Sequence, residues 1–279
     1  MNKDFILYTV KNQKLNITTY GYENRNTAPC IIYVHGFKGF KDWGFVPYTG
    51  EYLASIGYFV ITFNFSHNGV GDSLTEFTQL DKFAENTFSM EIDELSEIIE
   101  GYQFGFFDND AVNKIGLIGH SRGGAISLIA SRKTKAVDAI ALWASVSNLD
   151  RYSERQKEKW KKEGVFEVLN TRTKQVMKLN VTLLEDIEKH KDKKLSLEKA
   201  LKYFKKPLLI AHGDQDLAVP VSEANQLYKW SHKKLTKMLK IPAAGHTFGA
   251  VHPFEGSNPK LEQLLETTEL FLRKNLIEE

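Results

Sequence analysis

Six short apolar runs constrain this 279-residue chain more than any other feature; they lie at residues 30–35, 58–65, 114–119, 137–144, 207–212 and 236–241. Each is strand-length, mostly apolar on both faces, and bounded by glycine or polar residues, the signature of buried parallel strands. Between them lie longer stretches with helical spacing, over 43–56, 86–100, 123–132, 221–230 and 261–276. In the second of these Phe88, Ile92, Leu95 and Ile99 fall on one helical face. Strands alternating with helices predict an α/β chain, with a mostly parallel central sheet covered by helices on both faces. Residues 5–22 read instead as an antiparallel hairpin at the sheet edge.

One stretch breaks the alternation. From Asp150 to Lys206 there are 17 Lys and Arg against 10 Asp and Glu, a net of +7 in a chain whose formal net charge is only +2. It carries helical patterns and no convincing strand, so a helical insertion is expected between the fourth and fifth strands. The division is then a core of residues 1–147 and 207–279 and a cap of residues 148–206. The small overall charge argues against a nucleic-acid partner. No apolar run approaches the roughly 18 residues of a membrane span. The sequence opens without a signal-peptide pattern, and the single Cys30 forbids an internal disulfide, so a cytoplasmic location is expected. No His/Cys cluster has zinc-ligand spacing, and no metal or other cofactor is expected. Oligomeric state leaves no trace in the sequence.

Chemistry in an open α/β sheet sits beyond the carboxyl ends of its strands. The third run ends in Gly119-His-Ser121-Arg-Gly123, and a helix follows. A nucleophilic serine needs a sharp turn that lifts its hydroxyl clear of the backbone, and flanking glycines remove side chains that would collide there. The first run ends in His35-Gly-Phe37, a loop whose Phe37 amide, together with that of Arg122, would receive a developing oxyanion. The fifth run leads to Asp214 and Asp216, either of which could orient a histidine, and the sixth leads to His246, with His252 beyond it. His246 is preferred, because His252 directly precedes Pro253. His120 and His212 lie inside motifs and read as hydrogen-bonded loop residues. The chain order Ser121, acid, His246 differs from the orders used by chymotrypsin and subtilisin.

These motifs resemble those of the α/β-hydrolase superfamily, over roughly residues 25–147 and 207–277. His35-Gly-Phe37 is similar to its oxyanion loop, Gly119 to Gly123 to its nucleophile turn, and Gly69-Val-Gly71-Asp-Ser73 to the loop after its next strand. His212-Gly-x-x-Asp216 resembles its acid loop and Gly245-His246 its base. The resemblance assigns the acid to Asp216. Within the superfamily the chain looks most like cinnamoyl-esterase and monoglyceride-lipase-like enzymes, which carry a helical cap after the sixth core strand. Asn64 departs from the pattern, standing where many members have Asp.

The resemblance implies a serine carboxylesterase working on small or aryl acyl esters through Ser121, Asp216 and His246. A peptidase, amidase or thioesterase of the same fold is the alternative, and a non-catalytic binding protein is disfavoured by an unbroken triad. The partner expected is a small-molecule ester. His120 would touch substrate. In the cap, Trp160, Phe166, Met177 and Leu184, with Leu169 and Leu179, could line an acyl or alcohol pocket, although packing the lid against the core is the commoner role for such residues. The basic cap could favour substrates bearing a carboxylate.

Overall fold

The computed structural model describes residues 1–71 and 76–278. Eight strands form one sheet: β1 (Lys3–Tyr8), β2 (Lys14–Tyr20), β3 (Cys30–Val34), β4 (Phe59–Phe63), β5 (Ile115–His120), β6 (Val137–Trp143), β9 (Leu208–Gly213) and β10 (Thr236–Ile241). Their spatial order is β1-β2-β4-β3-β5-β6-β9-β10. The six strands from β4 to β10 run parallel, and the hairpin of β1 and β2 joins the β4 edge antiparallel. All six apolar runs and the edge hairpin therefore fall where the sequence predicts them.

The parallel strands need two covered faces, and β3 shows how the sequence supplies them. Cys30, Ile32 and Val34 enter one core with α3 (Phe88–Gln103), α4 (Arg122–Ala130) and α8 (Val221–Trp230), while Ile31 and Tyr33 enter the other with α1 (Val46–Ser55) and α9 (Pro259–Leu276). Burying each such side chain is worth about 1.5–3 kcal/mol. Cys30 is fully buried there and serves as a small apolar residue. Two short helices complete the core side, α2 (Leu80–Ala84) and, just before β9, α7 (Leu197–Tyr203).

The insertion between β6 and β9 departs from expectation. It holds α5 (Glu154–Glu163), α6 (Val181–His190) and α7, but also an antiparallel hairpin of β7 (Val165–Leu169) and β8 (Val176–Asn180). The reading of this segment as helical without strands is thus corrected. Along β8, Met177 and Leu179 are buried while Val176 and Lys178 are exposed, so its alternation is a genuine strand signal, though only five residues long. Lysines surrounding it mask that signal in composition. The hairpin docks on the core through Gln175 Nε2, which donates to the Phe77 carbonyl at 3.0 Å, and Asn180 Nδ2, which donates to Glu85 at 2.5 Å. Among the described residues no helix is long and apolar enough to cross a membrane.

The face of α3 that covers the sheet carries an unusual acid. Glu94 is buried, accepts from the Ser66 amide at 3.0 Å, and meets the Ser66 hydroxyl, which in turn lies 2.6 Å from His67 Nδ1. Burial pushes its carboxyl up to about 7, against the lowering effect of the Ser66 hydrogen bonds. An acid raised in the folded state binds more protons folded than unfolded, so this group's contribution to stability falls as pH rises from about 4.5 to about 7. Gln reproduces the neutral form, its carbonyl accepting from the Ser66 amide and its NH₂ donating to the hydroxyl. Glu94→Gln is therefore expected to gain on the wild type by roughly 3 kcal/mol between pH 5 and pH 8 in urea unfolding. A pH-independent difference would mean that Glu94 ionises in the ordinary range.

Candidate active site

Ser121 joins β5 to α4 with φ +56° and ψ −122°. A non-glycine residue held there carries strain of order 1–3 kcal/mol, and it persists only where the surroundings over-determine it. Here the Ser121 amide donates to the Trp143 carbonyl at 2.8 Å, and the Ser121 carbonyl accepts from the Gly124 amide at 3.1 Å. The flanking glycines are obligatory. A Cβ on Gly119 would lie 2.5 Å from Gly124 Cα, and one on Gly123 would lie 2.1 Å from the Val34 carbonyl oxygen. Strand β3, the turn and the start of α4 therefore meet backbone to backbone, and the Ser121 side chain stands out from them.

Asp216 lies in the loop after β9. Its Oδ1 accepts from the amides of Ala218 and Val219 at 2.9 and 2.8 Å, and its Oδ2 accepts from His246 Nδ1 at 2.7 Å. Buried His212 donates from Nε2 to the Val219 carbonyl at 2.8 Å and lies 3.4 Å from Asp216 Oδ2. Burial alone would raise the Asp216 pKa. Hydrogen bonds from His212, His246 and Val219 outweigh it and hold the carboxyl well below the usual carboxylate range. An ionised Asp216 keeps the proton of His246 on Nδ1, which leaves Nε2 free as a base.

The rival candidates are engaged elsewhere. Asp214 accepts from the Ala243 amide at 2.7 Å and so ties its loop to the turn after β10. His252 Nδ1 accepts from the Gly44 amide at 2.9 Å, and its ring stacks on Trp43. His120 donates from Nε2 to the His246 carbonyl at 3.0 Å, with the two rings 4.8 Å apart. Burial first, and then the neighbouring His246, push the His120 pKa down to about 3, so this ring is neutral and fixes the backbone of His246.

The loop after β3 packs against the serine turn. A Cβ on Gly36 would lie 2.9 Å from both the His120 carbonyl and Ser121 Cβ, and 3.4 Å from the Arg122 amide. His35 fixes this loop: its Nδ1 bonds the Gly36 carbonyl at 2.9 Å and its Nε2 accepts from the Phe65 amide at 3.3 Å. Burial lowers its pKa to about 4, consistent with a neutral ring doing both. Asn64 holds the far end of the loop, accepting from the Lys41 amide at 2.7 Å, a task an uncharged amide performs as well as an acid. Among the described residues neither the Phe37 nor the Arg122 amide donates a hydrogen bond. The Arg122 side chain turns away to buried Glu91, 2.8 Å distant, and its guanidinium lies 4.7 Å from the Phe37 ring centroid. Gly69 and Gly71 follow β4 as expected, but Asp72 and Ser73 of that motif lie outside the described residues.

Two cavities flank Ser121, of about 330 and 310 Å³, and both are lined by Phe37, Lys38, Ser121 and His246. His120 lines the first, beside Phe40, Trp43 and the hairpin-turn residues Asn170, Thr171 and Arg172. Phe88, Leu149, Tyr152 and Val219 help line the second. The pocket assigned from sequence to Trp160, Phe166, Met177 and Leu184 is corrected here: none of the four lines either cavity. Trp160 is fully buried between Tyr152 and Phe166, and Met177 and Leu184 are buried in the same core. They are the apolar faces of the elements inserted between β6 and β9 and pack inward. Arg172 and Tyr152 line these cavities from loop positions, where periodicity gives no signal, which is why both are missed.

Comparison with curated proteins finds no match. Among solved structures the chain is similar to Est1E from Butyrivibrio proteoclasticus, solved with ferulic acid bound, at 20% identity and a TM-score of 0.73, covering 97% of this chain and 98% of that one. It is also similar to the alpha/beta hydrolase GrgF from Penicillium sp. sh18, at 14% identity and a TM-score of 0.74, with 99% of each chain covered. A third is alpha/beta hydrolase domain-containing protein 10 from mouse, at 16% identity and a TM-score of 0.73, covering 98% of this chain and 99% of that one. Identities this low establish the fold alone. The model of the prolyl oligopeptidase family matches residues 51–266. With the parallel sheet and the serine turn in place, the chain is an α/β hydrolase and belongs to the prolyl oligopeptidase family.

Proposed function

We infer that this hydrolase is a serine esterase, cleaving small or aryl carboxylic esters. The observation that carries the reading is the strained Ser121 turn opening on the same cavities as a histidine whose Nδ1 is bonded to a buried carboxylate. In the proposed reaction His246 Nε2 takes the Ser121 proton as Oγ attacks the acyl carbon. The oxyanion is received by the amides of Phe37 and Arg122, one such donor being worth roughly 10²–10³ in rate. Asp216 stabilises the imidazolium, which returns its proton to the leaving alcohol as the ester C–O bond breaks. Water, deprotonated by His246, then attacks the acyl-enzyme and releases the acid and Ser121. The sequence needs no metal or organic cofactor. Residues 148–206 act as the cap, presenting Arg151, Tyr152 and the hairpin turn to the reacting groups.

An ester is favoured over a free-amine peptide by the lining of the two cavities, which includes no Asp or Glu to hold a substrate ammonium. The family name itself supports the second reading, a peptidase. The test pairs p-nitrophenyl butyrate with Gly-Pro p-nitroanilide, alongside labelling by a fluorophosphonate probe. Labelling at Ser121 with kcat/KM at least a hundredfold higher for the ester is the expected result. Labelling with the preference reversed makes the chain a peptidase.

A further inference from the structure

Positive charge at this site is paired almost everywhere. Arg122 meets Glu91 and Arg151 meets Glu223 beside the second cavity, and nearby Lys41, which lines neither cavity, lies 2.8 Å from Asp42. The first cavity breaks the rule. Lys38 and Arg172 both line it, and among the described residues no Asp or Glu does and neither of the two has a carboxylate partner. Burial lowers the pKa of both side chains, and Arg172 lowers that of Lys38 further by repulsion. Lys38 is partly buried and Arg172 exposed, so water screens part of the repulsion between these two like charges, and an anion lying between them would relieve the rest.

The fold nevertheless holds both in place. Arg172 lies over the rings of Phe40 and Phe77, with centroids 5.4 and 5.7 Å away. Lys38 is held at φ +56° in the loop after β3, and its Nζ donates to the Leu169 carbonyl at 3.3 Å. Beside them Asn170 accepts from the Arg172 amide at 3.2 Å, while its own buried Nδ2 has no partner. Lys38 and Arg172 thus border one cavity of about 330 Å³ that also reaches Ser121, with Asn170 in its wall.

We propose that this cavity binds a carboxylate carried by the substrate, held by Lys38 and Arg172, so that the preferred substrate is an ester bearing a free carboxylate a few bonds from the scissile carbonyl. This rests on the serine-esterase reading and narrows it. The carboxylate supplies the counter-ion the protein withholds, and the planar guanidinium suits it in two-point contact. The cap's positive charge then acts through one residue on its hairpin turn rather than through its solvated lysines.

The test uses two matched ester pairs. Monoethyl adipate is compared with its primary-amide isostere, which places the charge on the acyl side. The acetyl ester of 4-hydroxybutyrate is compared with that of 4-hydroxybutyramide, which places it on the alcohol side. In one pair the wild type is expected to prefer the carboxylate on the order of tenfold to a hundredfold in kcat/KM, the scale of a charge-assisted bond. Arg172→Gln should bring that ratio towards one, while Arg172→Lys, which keeps the charge but not the planar fork, keeps only part of it. Because the ratio is taken within one preparation, partial misfolding does not alter it. Fluorophosphonate labelling of Ser121 with no carboxylate preference in either pair overturns this inference and leaves the esterase reading standing. Absence of labelling and of turnover overturns both. A ratio unmoved in Arg172→Gln removes Arg172 from the site. Inhibition by inorganic phosphate below millimolar concentration, without inhibition by adipate, would replace carboxylate with phosphate as the recognised group and defeat the proposal as stated.

Discussion

Ser121→Ala is expected to lower kcat for p-nitrophenyl butyrate by a factor on the order of 10⁶, with KM little changed. Losing the nucleophile removes acyl-enzyme formation outright, and in serine hydrolases where triad members act as a unit, loss of the serine costs about as much as loss of all three groups. The residue left behind still sits at the same turn. Alanine fits φ +56° no better and no worse than serine, and the bonds that hold the turn are from the Ser121 backbone, not its hydroxyl. The fold should therefore be unchanged, and the amides of Phe37 and Arg122 remain in place to give whatever residual rate positioning alone supplies. A stopped assay with purified variant and an independent unfolding curve separates the two effects. Activity within tenfold of wild type would show that some other group attacks the ester.

How much of this was legible beforehand differs from element to element. The five inner parallel strands were readable because burial on both faces forces a continuous apolar run, which few other structures demand, whereas the edge strand β10 buries only Ile241 and shows as a weaker run interrupted by Lys237 and Lys240. The serine turn was readable because backbone contacts of 2.1 and 2.5 Å leave room only for glycine at positions 123 and 119, so geometry is written into residue type. The choice of Asp216 over Asp214 was not readable from spacing, since both follow β9; it depends on which carboxylate accepts from His246 Nδ1, a fact of three-dimensional placement. The hairpin of β7 and β8 was hidden because its strands are five residues each, too short for a two-residue period to stand out among lysines. Lys38 and Arg172 were hidden for a different reason. Their significance lies in the carboxylates they lack, and pairing across 134 positions leaves no mark in a linear pattern.

Asp216→Asn is the sharper test of mechanism, because it changes almost nothing but a proton. The amide oxygen of asparagine can still accept from Ala218 and Val219, so the loop should hold its shape. Its NH₂ then faces His246 Nδ1, which must become an acceptor. The ring proton moves to Nε2, the atom that has to accept from Ser121, and the imidazolium loses its counter-charge. A fall in kcat of about 10⁴ near neutral pH is expected, with KM nearly constant, as where the same change is made in serine proteases. Stability gives a second readout. Because hydrogen bonds hold the folded Asp216 pKa below its ordinary value, this carboxylate stabilises the fold above the unfolded pKa, and that stability is lost as pH falls through the folded one. The variant should therefore lose stability at pH 7 and show a shallower acid decline than the wild type. Asp214→Asn is the internal comparison. Among the described residues its carboxylate receives only the Ala243 amide, which asparagine also satisfies, so kcat should stay within about threefold of wild type. If instead Asp214→Asn carried the 10⁴-fold loss and Asp216→Asn did not, the carboxylate bonded to His246 in the folded protein would not be the one that serves catalysis, and the triad would have to be redrawn around the other side of the loop.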